Sequence, residues 1–285
     1  MVQSGIEVKD LRKQIDDFQL GPINLSLEPG TITALVGKNG AGKSTFSKLL
    51  MNLVKRDQGE VIFHGQTVSD SNEEWKLKIT YQPQTLFGCN MFNGIELKEL
   101  ISNLYPSWDE DLFSHLVKVF DIPIQKPYGK LSPGVQQQLN IALSLPRDTD
   151  ILLLDEPTAH MDIPSKQILM DELVAWMERG EKTMLLVSHQ VDDIRKLADH
   201  IAIFHRGQLI AFSQKDELIQ NYKRYWLEQE LSSETIPGEI ERKNGRVIIS
   251  NQPNRTEHYL CDNHLKWIES EMLELDEIIA LNMKD

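Results

Sequence analysis

Cysteine is nearly absent: Cys89 and Cys261 are the two thiols in 285 residues, and they stand far apart. That spacing excludes a disulfide framework and a paired-cysteine metal site, and it fits reduced thiols of a cytosolic protein. Also missing is any uninterrupted apolar stretch approaching the ~18 residues a membrane-spanning helix needs. The opening Met1-Val2-Gln3-Ser4-Gly5 does not read as a signal peptide, so the chain is expected in the cytoplasm. Positive charge is in deficit, with 30 Lys and Arg against 43 Asp and Glu and a net charge of −13. This balance argues against a general nucleic-acid binder, which needs clustered basic groups to displace counterions. The rest of the composition is ordinary, 40% hydrophobic and 26% charged, and the length suffices for one large domain or two smaller ones with a sizeable core.

Against that background stands Gly37-Lys38-Asn39-Gly40-Ala41-Gly42-Lys43-Ser44-Thr45. An apolar strand is expected before it, at 32–36, and a helix from Lys43 onward. The glycines let the backbone curl with its N–H groups inward, and the helix start adds its positive end. Such a nest suits a phosphate chain. All nine residues are candidate nucleotide ligands, with Lys43 reaching the β- and γ-phosphates and the Ser44 hydroxyl holding Mg²⁺. A second landmark, Ile151-Leu152-Leu153-Leu154-Asp155-Glu156-Pro157, reads as a fully buried strand ending in two carboxylates. Asp155 is then a metal ligand through water, and Glu156 orients or deprotonates the attacking water. One strand later, Leu185-Leu186-Val187-Ser188-His189 places a histidine at the corresponding strand end, where it can sense a γ-phosphate or merely cap the loop. The implied ligands are ATP and Mg²⁺.

Between and beyond these landmarks, strands are expected at 61–64, 79–81, 183–187 and 200–204, and helices at 43–54, 165–178 and 191–197. The alternation is that of a parallel sheet wrapped by helices. Residues 86–147 break it, because helical patterns dominate there and no buried-strand run occurs. They are expected to form an inserted helical subdomain, with Ser107-Trp108-Asp109-Glu110 as a capping box at one helix start and Asp121-Ile122-Pro123 closing that helix.

Taken together, these motifs resemble the ATP-binding cassette of ABC transporters over residues 6–219. The resemblance implies that Gln84, in Tyr81-Gln82-Pro83-Gln84, touches the metal and senses a membrane partner. Ala159-His160-Met161-Asp162 is similar to the D-loop, whose Asp162 belongs to the nucleotide site, and His189 to the switch histidine. Leu131-Ser132-Pro133-Gly134-Val135-Gln136-Gln137-Gln138 takes the place of the signature sequence, 23 residues before Asp155. In the family, Ser132, Gly134 and Val135 would bind the ATP of an opposite cassette, so two chains, identical or different, sandwich two nucleotides. Pro133 and Val135 depart from the family pattern. Ser132 can nevertheless cap the following helix with Pro133 at its first position, where proline is favoured. Two further departures are Ala159 in place of a serine, and Ile15 where an adenine-stacking aromatic is usual, with Phe18 as a substitute.

The fold class implied is α/β, a P-loop NTPase cassette with an antiparallel N-terminal β edge, an inserted helical subdomain at about 86–147 and a small C-terminal appendage. The cassette is expected over 1–225 and an acidic accessory region over 226–285. That tail holds 13 acidic and 6 basic residues. Asn244-Gly245 signals a hairpin, and Leu265, Ile268, Met272, Leu275 and Ile279 follow a helical stripe that either covers the cassette or recruits a partner. The segment 85–92 either packs into the core or receives a short helix of a membrane subunit.

The resemblance implies an ATPase that drives export through a separate membrane permease, on the inner face of the membrane, with no nucleic-acid partner. Tyr105-Pro106-Ser107-Trp108 and the tail sequence Leu275-Asp276-Glu277-Ile278-Ile279 resemble Gram-positive ABC-2-type exporters of antimicrobial or amphipathic peptides, of the bacitracin and phenol-soluble-modulin types. A translation-associated ABC protein would carry two cassettes in one chain. A chromosome-organising ATPase would need a long heptad insertion, and the 112 residues from Lys43 to Asp155 leave no room for one. A nucleotide-gated sensor or immunity module with little turnover is the alternative.

Overall fold

The aliphatic run before Asp155 becomes a strand buried on both faces, with Ile151 to Leu154 each 0–1% exposed. Burying such a side chain fully contributes roughly 1.5–3 kcal/mol, so this strand anchors the sheet that carries the carboxylates. The computed structural model describes residues 5–231 and 234–284. It divides into two units, one ending at Phe212 and the other beginning at Ser213.

In the first unit β1 (Ile6–Ile15) and β2 (Phe18–Leu27) pair antiparallel, β3 (Ile32–Gly37) runs into the phosphate loop, and α1 (Lys43–Leu50) follows it. Next come β4 (Gln58–Phe63), the short β5 (Gln66–Thr67) and β6 (Ile79–Gln82). The middle third holds α2 (Gly94–Ser102), α3 (Glu110–Val119) and α4 (Pro133–Ser144). The chain then alternates through β7 (Ile151–Asp155), α5 (Ile163–Met177), β8 (Thr183–Val187), α6 (Val191–Leu197) and β9 (His200–His205), and β10 (Gln208–Gln214) crosses the unit boundary.

One sheet has the order β10-β9-β3-β8-β7-β6, in which β9, β3, β8, β7 and β6 run parallel. A second sheet, β2-β1-β4-β5, is antiparallel. The strand expected at 61–64 therefore belongs to the antiparallel sheet, where Val61 faces Val8 and Phe63 faces Ile6. Its residues alternate buried and half-buried, the mark of a strand with one wet face. The odd residues Leu153, Leu185 and Val187 pack with Phe46, Leu49 and the inner face of the antiparallel sheet. The even residues Leu152, Leu154, Met184 and Leu186 pack with Leu139, Leu143, Leu169 and Trp176 of the helices. Two-sided burial is what turns these strands into uninterrupted apolar runs.

In the helical region the capping box sits at α2 rather than α3. Asn93 Oδ1 accepts from the N–H of Glu96, and Glu96 Oε2 accepts from the N–H of Asn93. For α3 the N-cap is Asp109, which accepts from Leu112 N–H at 2.8 Å, so Ser107 lies outside the helix. Its hydroxyl instead donates to Arg147 O. The helix expected to reach residue 54 ends at Leu50.

The second unit comprises α7 (Lys215–Gln220), β11 (Lys223–Leu227), β12 (Glu239–Lys243), β13 (Val247–Ser250), α8 (Pro253–Asp262), β14 (Trp267–Met272) and α9 (Leu275–Asn282). Its antiparallel sheet has the order β12-β13-β11-β14, around a core of Tyr225, Leu227, Ile236, Ile248 and Leu260. The boundary expected after residue 225 thus falls earlier, at Phe212, because β11 is an interior strand of this second sheet. Asn244 and Gly245, at φ +51° and +66°, form the hairpin turn between β12 and β13. The helical stripe from Leu265 to Ile279 does not form. Residues 267–272 pair with β11, whose backbone donors and acceptors need a partner, and the helix begins only at Leu275. Ile268 and Met272 are accordingly exposed while Leu275 and Ile279 are buried.

Candidate functional site

Parallel strands present their carboxyl ends at one edge of a sheet, which is where open α/β sheets hold ligands. Here β3 delivers the glycine loop, β6 delivers Gln84, β7 delivers Asp155 and Glu156, and β8 delivers His189. The register pairs Leu35 and Asp155 with Val187 and Gln82 with Leu154, so the four ends lie level. Residues 39–45, Gln84, Asp155, Glu156 and His189 line one cleft of about 570 Å³ together with Phe18. Gly37 and Lys38 contribute their carbonyls, which accept from Lys43 Nζ at 2.6 and 3.2 Å. Gly42 closes the loop at φ +103°, and a Cβ there would stand 2.9 Å from Phe18 Cζ. The aromatic in the cleft is thus Phe18, while Ile15, its neighbour across the β1–β2 turn, is 37% exposed and does not line it.

Charge is concentrated where water is scarce. Burial lowers the pKa of Lys43, and Glu156 and Asp155 partly restore it. Burial likewise raises Asp155, against the hydrogen bond from Ser44, while Glu156 adds to the rise and Lys43 opposes it. The ionised Asp155 is therefore held at a cost that a cation beside it would offset. Glu156 has φ +52°, a conformation costing a non-glycine residue roughly 1–3 kcal/mol, and backbone hydrogen bonds keep it there, one of them from Ala159 N–H to its carbonyl at 3.1 Å. Its N–H donates to Val187 O at 2.8 Å and its carbonyl accepts from Gln137 Nε2 at 3.3 Å. Its Oε2 lies 2.8 Å from His189 Nδ1, and this buried oxygen accepts no hydrogen bond among the described residues. Such an orphaned acceptor fits a site shaped for a water or ligand hydrogen.

The other predicted nucleotide ligands gather elsewhere. Ser132, Gly134, Val135 and Asp162 line a separate depression of about 360 Å³, with Pro133, Gln138, His160 and Met161. Ser132 is the N-cap of α4 and Pro133 its first residue, as the sequence predicts. The Val135 N–H is already donated to Ser132 Oγ at 3.4 Å, a long bond that a stronger acceptor can displace. A Cβ on Gly134 would meet His160 O at 2.6 Å, so only glycine lets the 159–162 segment press against the helix start. Asp162 caps α5 by accepting from Ser165 N–H at 2.8 Å, and hydrogen bonds from the Ser165 hydroxyl first and this N–H second lower its pKa. His160, at φ +63°, joins this depression from the same D-loop-like segment as Asp162, although the sequence assigns it no role.

The donor set suits a Mg–nucleotide: a hydroxyl, carboxylates and an amide oxygen for a hard cation, with an ammonium and backbone amides for phosphate. Known proteins agree. The family model described as ABC transporter matches residues 20–159. The ABC transporter ATP-binding protein YtrB of Bacillus subtilis (strain 168) is 29% identical over 218 residues, 76% of this chain and 74% of that protein. The molybdenum import ATP-binding protein ModC of Shewanella sp. (strain MR-7) is 30% identical over 234 residues, 79% of this chain and 63% of its own length. Among solved structures, an ATP-binding subunit of an ABC transporter superposes with TM-score 0.69 at 23% identity, over 75% of this chain and 92% of that one. The chain therefore carries an ABC transporter ATP-binding cassette domain. It is an ATPase of the P-loop class that uses ATP with Mg²⁺.

Proposed function

We propose that this protein is the ATP-binding and ATP-hydrolysing subunit of an ABC exporter, acting through a separate membrane permease. The observation that carries the ATPase half is the convergence of Lys43, Asp155, Glu156, His189 and Gln84 on one cleft. The loop amides and Lys43 bind and orient the phosphates, and Phe18 stacks on the base. Ser44, Gln84 and, through water, Asp155 would hold the metal. Mg²⁺, when bound, supplies charge that offsets the phosphate oxygens. Glu156 orients or deprotonates the attacking water, and His189, at the neighbouring strand end, senses the γ-phosphate.

The signature depression completes a second cassette's site. Ser132 and the N–H groups of Gly134 and Val135 bind the ATP held by the partner, so two cassettes close on two nucleotides and reopen after hydrolysis. An arginine at position 132 is expected to leave Mg–ATP binding to each monomer intact while abolishing ATP-dependent dimerisation and phosphate release. Pro133→Gly is expected to stay within a few fold of the parent, because proline at the first helical position withholds no used donor. Light scattering and phosphate release decide both. A Ser132→Arg protein that dimerises normally rejects the sandwich. A gain of ~100-fold in Pro133→Gly, about 2.7 kcal/mol of barrier, supports the sensor alternative.

Permease docking is supported by exposed apolar side chains in the 85–92 segment, where Phe87 and Met91 are 88% and 87% exposed, and in and after α2, where Leu100 and Leu104 are also exposed. The segment 85–92 thus leaves Phe87 and Met91 in solvent, while Leu86 and Cys89 pack on the core. No helix among the described residues is long and apolar enough to cross a membrane, so transport by this reading needs that partner. The finer reading, export of peptides or other amphipathic compounds, rests on the resemblance carried by residues 105–108 and 275–279. Affinity purification of a tagged chain from membranes should recover a multispanning protein, and Phe87→Glu with Met91→Glu should release it. Recovery of the chain alone, with ATPase activity intact, would count against a transporter subunit.

A further inference from the structure

His189 is 65% exposed in its side chain, with Nδ1 2.8 Å from Glu156 Oε2. A ring so exposed is held mainly by its backbone. That backbone is fastened by the next residue. The N–H of Gln190 donates to Ser188 Oγ at 3.0 Å, and its Nε2 donates to Thr158 Oγ1 at 3.0 Å. Lys166 Nζ donates to its Oε1. Thr158 in turn donates to Asp193 Oδ2 at 2.6 Å. Ser188, Thr158 and Asp193 are buried and Lys166 is half-buried, so the backbone N–H and the Nε2 of Gln190 both end on hydroxyls fixed in the interior.

The placement of these partners gives the clamp its meaning. Thr158 stands two residues after Glu156, so one amide ties the segment bearing the carboxylate to the segment bearing the histidine. Lys166 belongs to the first turns of α5, and its neighbour Ser165 accepts from Gln138 Nε2 at 2.8 Å on α4, the helix that Ser132 caps. The same short path therefore reaches the signature residues.

We propose that Gln190 is a positioning residue that sets His189 against Glu156 and, through Lys166 and the start of α5, links that pair to the signature helix of the same chain. This rests on the reading of Glu156 and His189 as the groups that act on bound ATP. Gln190 does not line the nucleotide cleft itself. Its loss leaves the phosphate loop untouched and releases the histidine.

The test uses the full chain with Gln190→Met, which keeps the side-chain length and removes both amide bonds. Turnover should fall ~10- to 100-fold, the scale of a misplaced catalytic group, while calorimetric ATP affinity stays at the parent value. In the nucleotide-free protein the imidazole ¹⁵N resonances of His189 should shift. In a His189→Ala background, Gln190→Met should cost nothing further, because its route of action is already gone. Equal losses in both backgrounds, loss of affinity in step with turnover, or unmoved imidazole resonances would each overturn the proposal. If Gln190→Met does not fold, Lys166→Met removes the outer bond alone and must show a smaller loss with the same pattern. Parental turnover in His189→Ala itself would reject the role of the histidine, and with it the clamp, in a way the other outcomes do not.

Discussion

Glu156→Gln is expected to lower ATP turnover by ~10²–10⁴, the usual worth of a positioned acid–base group, while Mg–ATP still binds and the dimer becomes trapped closed. The substitution keeps shape and removes a proton acceptor. In the native cleft Oε2 of Glu156 is buried without a hydrogen-bond partner among the described residues, beside His189 Nδ1 at 2.8 Å. That is the condition of a base awaiting a water. The electrostatics point the same way for binding, since Glu156 raises the pKa of Asp155 and stands near Lys43. Removing its charge relieves Asp155 and reduces repulsion toward phosphate, so affinity is kept or tightened. Single-turnover phosphate release, with size-exclusion chromatography in ATP, checks both halves. Undiminished turnover would remove Glu156 from the reaction.

Lys43→Ala is expected to abolish tight ATP binding. One charge-assisted contact is worth ~1.5–3 kcal/mol, or roughly 10- to 150-fold in affinity. The loss here exceeds that range, because Asp155 and Glu156 would then face the phosphates without the cation that lies among them. Lys43 is buried, and two of its three protons go to Gly37 O and Lys38 O, which aim the ammonium and leave one donor for a ligand. Calorimetry measures the effect directly. Phe18→Ala in the same titration should lose only the stacking share, roughly 1–3 kcal/mol. Parental affinity in Lys43→Ala would mean that nucleotide binds elsewhere.

The chemistry of the site was legible because it is local. A glycine loop between an apolar strand and a helix makes a phosphate nest whatever surrounds it, and Pro133 after a serine is a helix start by the geometry of its own ring. The fully buried strands were equally plain, since covering both faces removes any reason for polar residues between Ile151 and Leu154. Where a segment can satisfy its backbone in two ways, its local pattern does not decide between them. Residues 265–279 carry apolar side chains at helical spacing, but β11 offered hydrogen bonds to 267–272 and the strand won. Likewise Val61 and Phe63 belong to a sheet with one wet face, a fact set by β1 and not by their own run.

The sequence by itself therefore determined which groups this cassette possesses: the ammonium of Lys43, the carboxylates of Asp155 and Glu156, and the capped helix start after Ser132. Only the tertiary structure decided which of them meet. Leu35, Asp155, Val187 and Gln82 are dispersed over much of the chain, and it is the parallel register of β3, β8, β7 and β6 that brings their strand ends level. Phe18 rather than Ile15 entered the cleft because the β1–β2 turn folds the hairpin over Gly42. Gln190 became a clamp because Thr158 and Lys166, from two other segments, came within hydrogen-bond reach. Long-range contacts of this kind depend on packing and strand pairing, and a single chain's local pattern does not encode them one residue at a time.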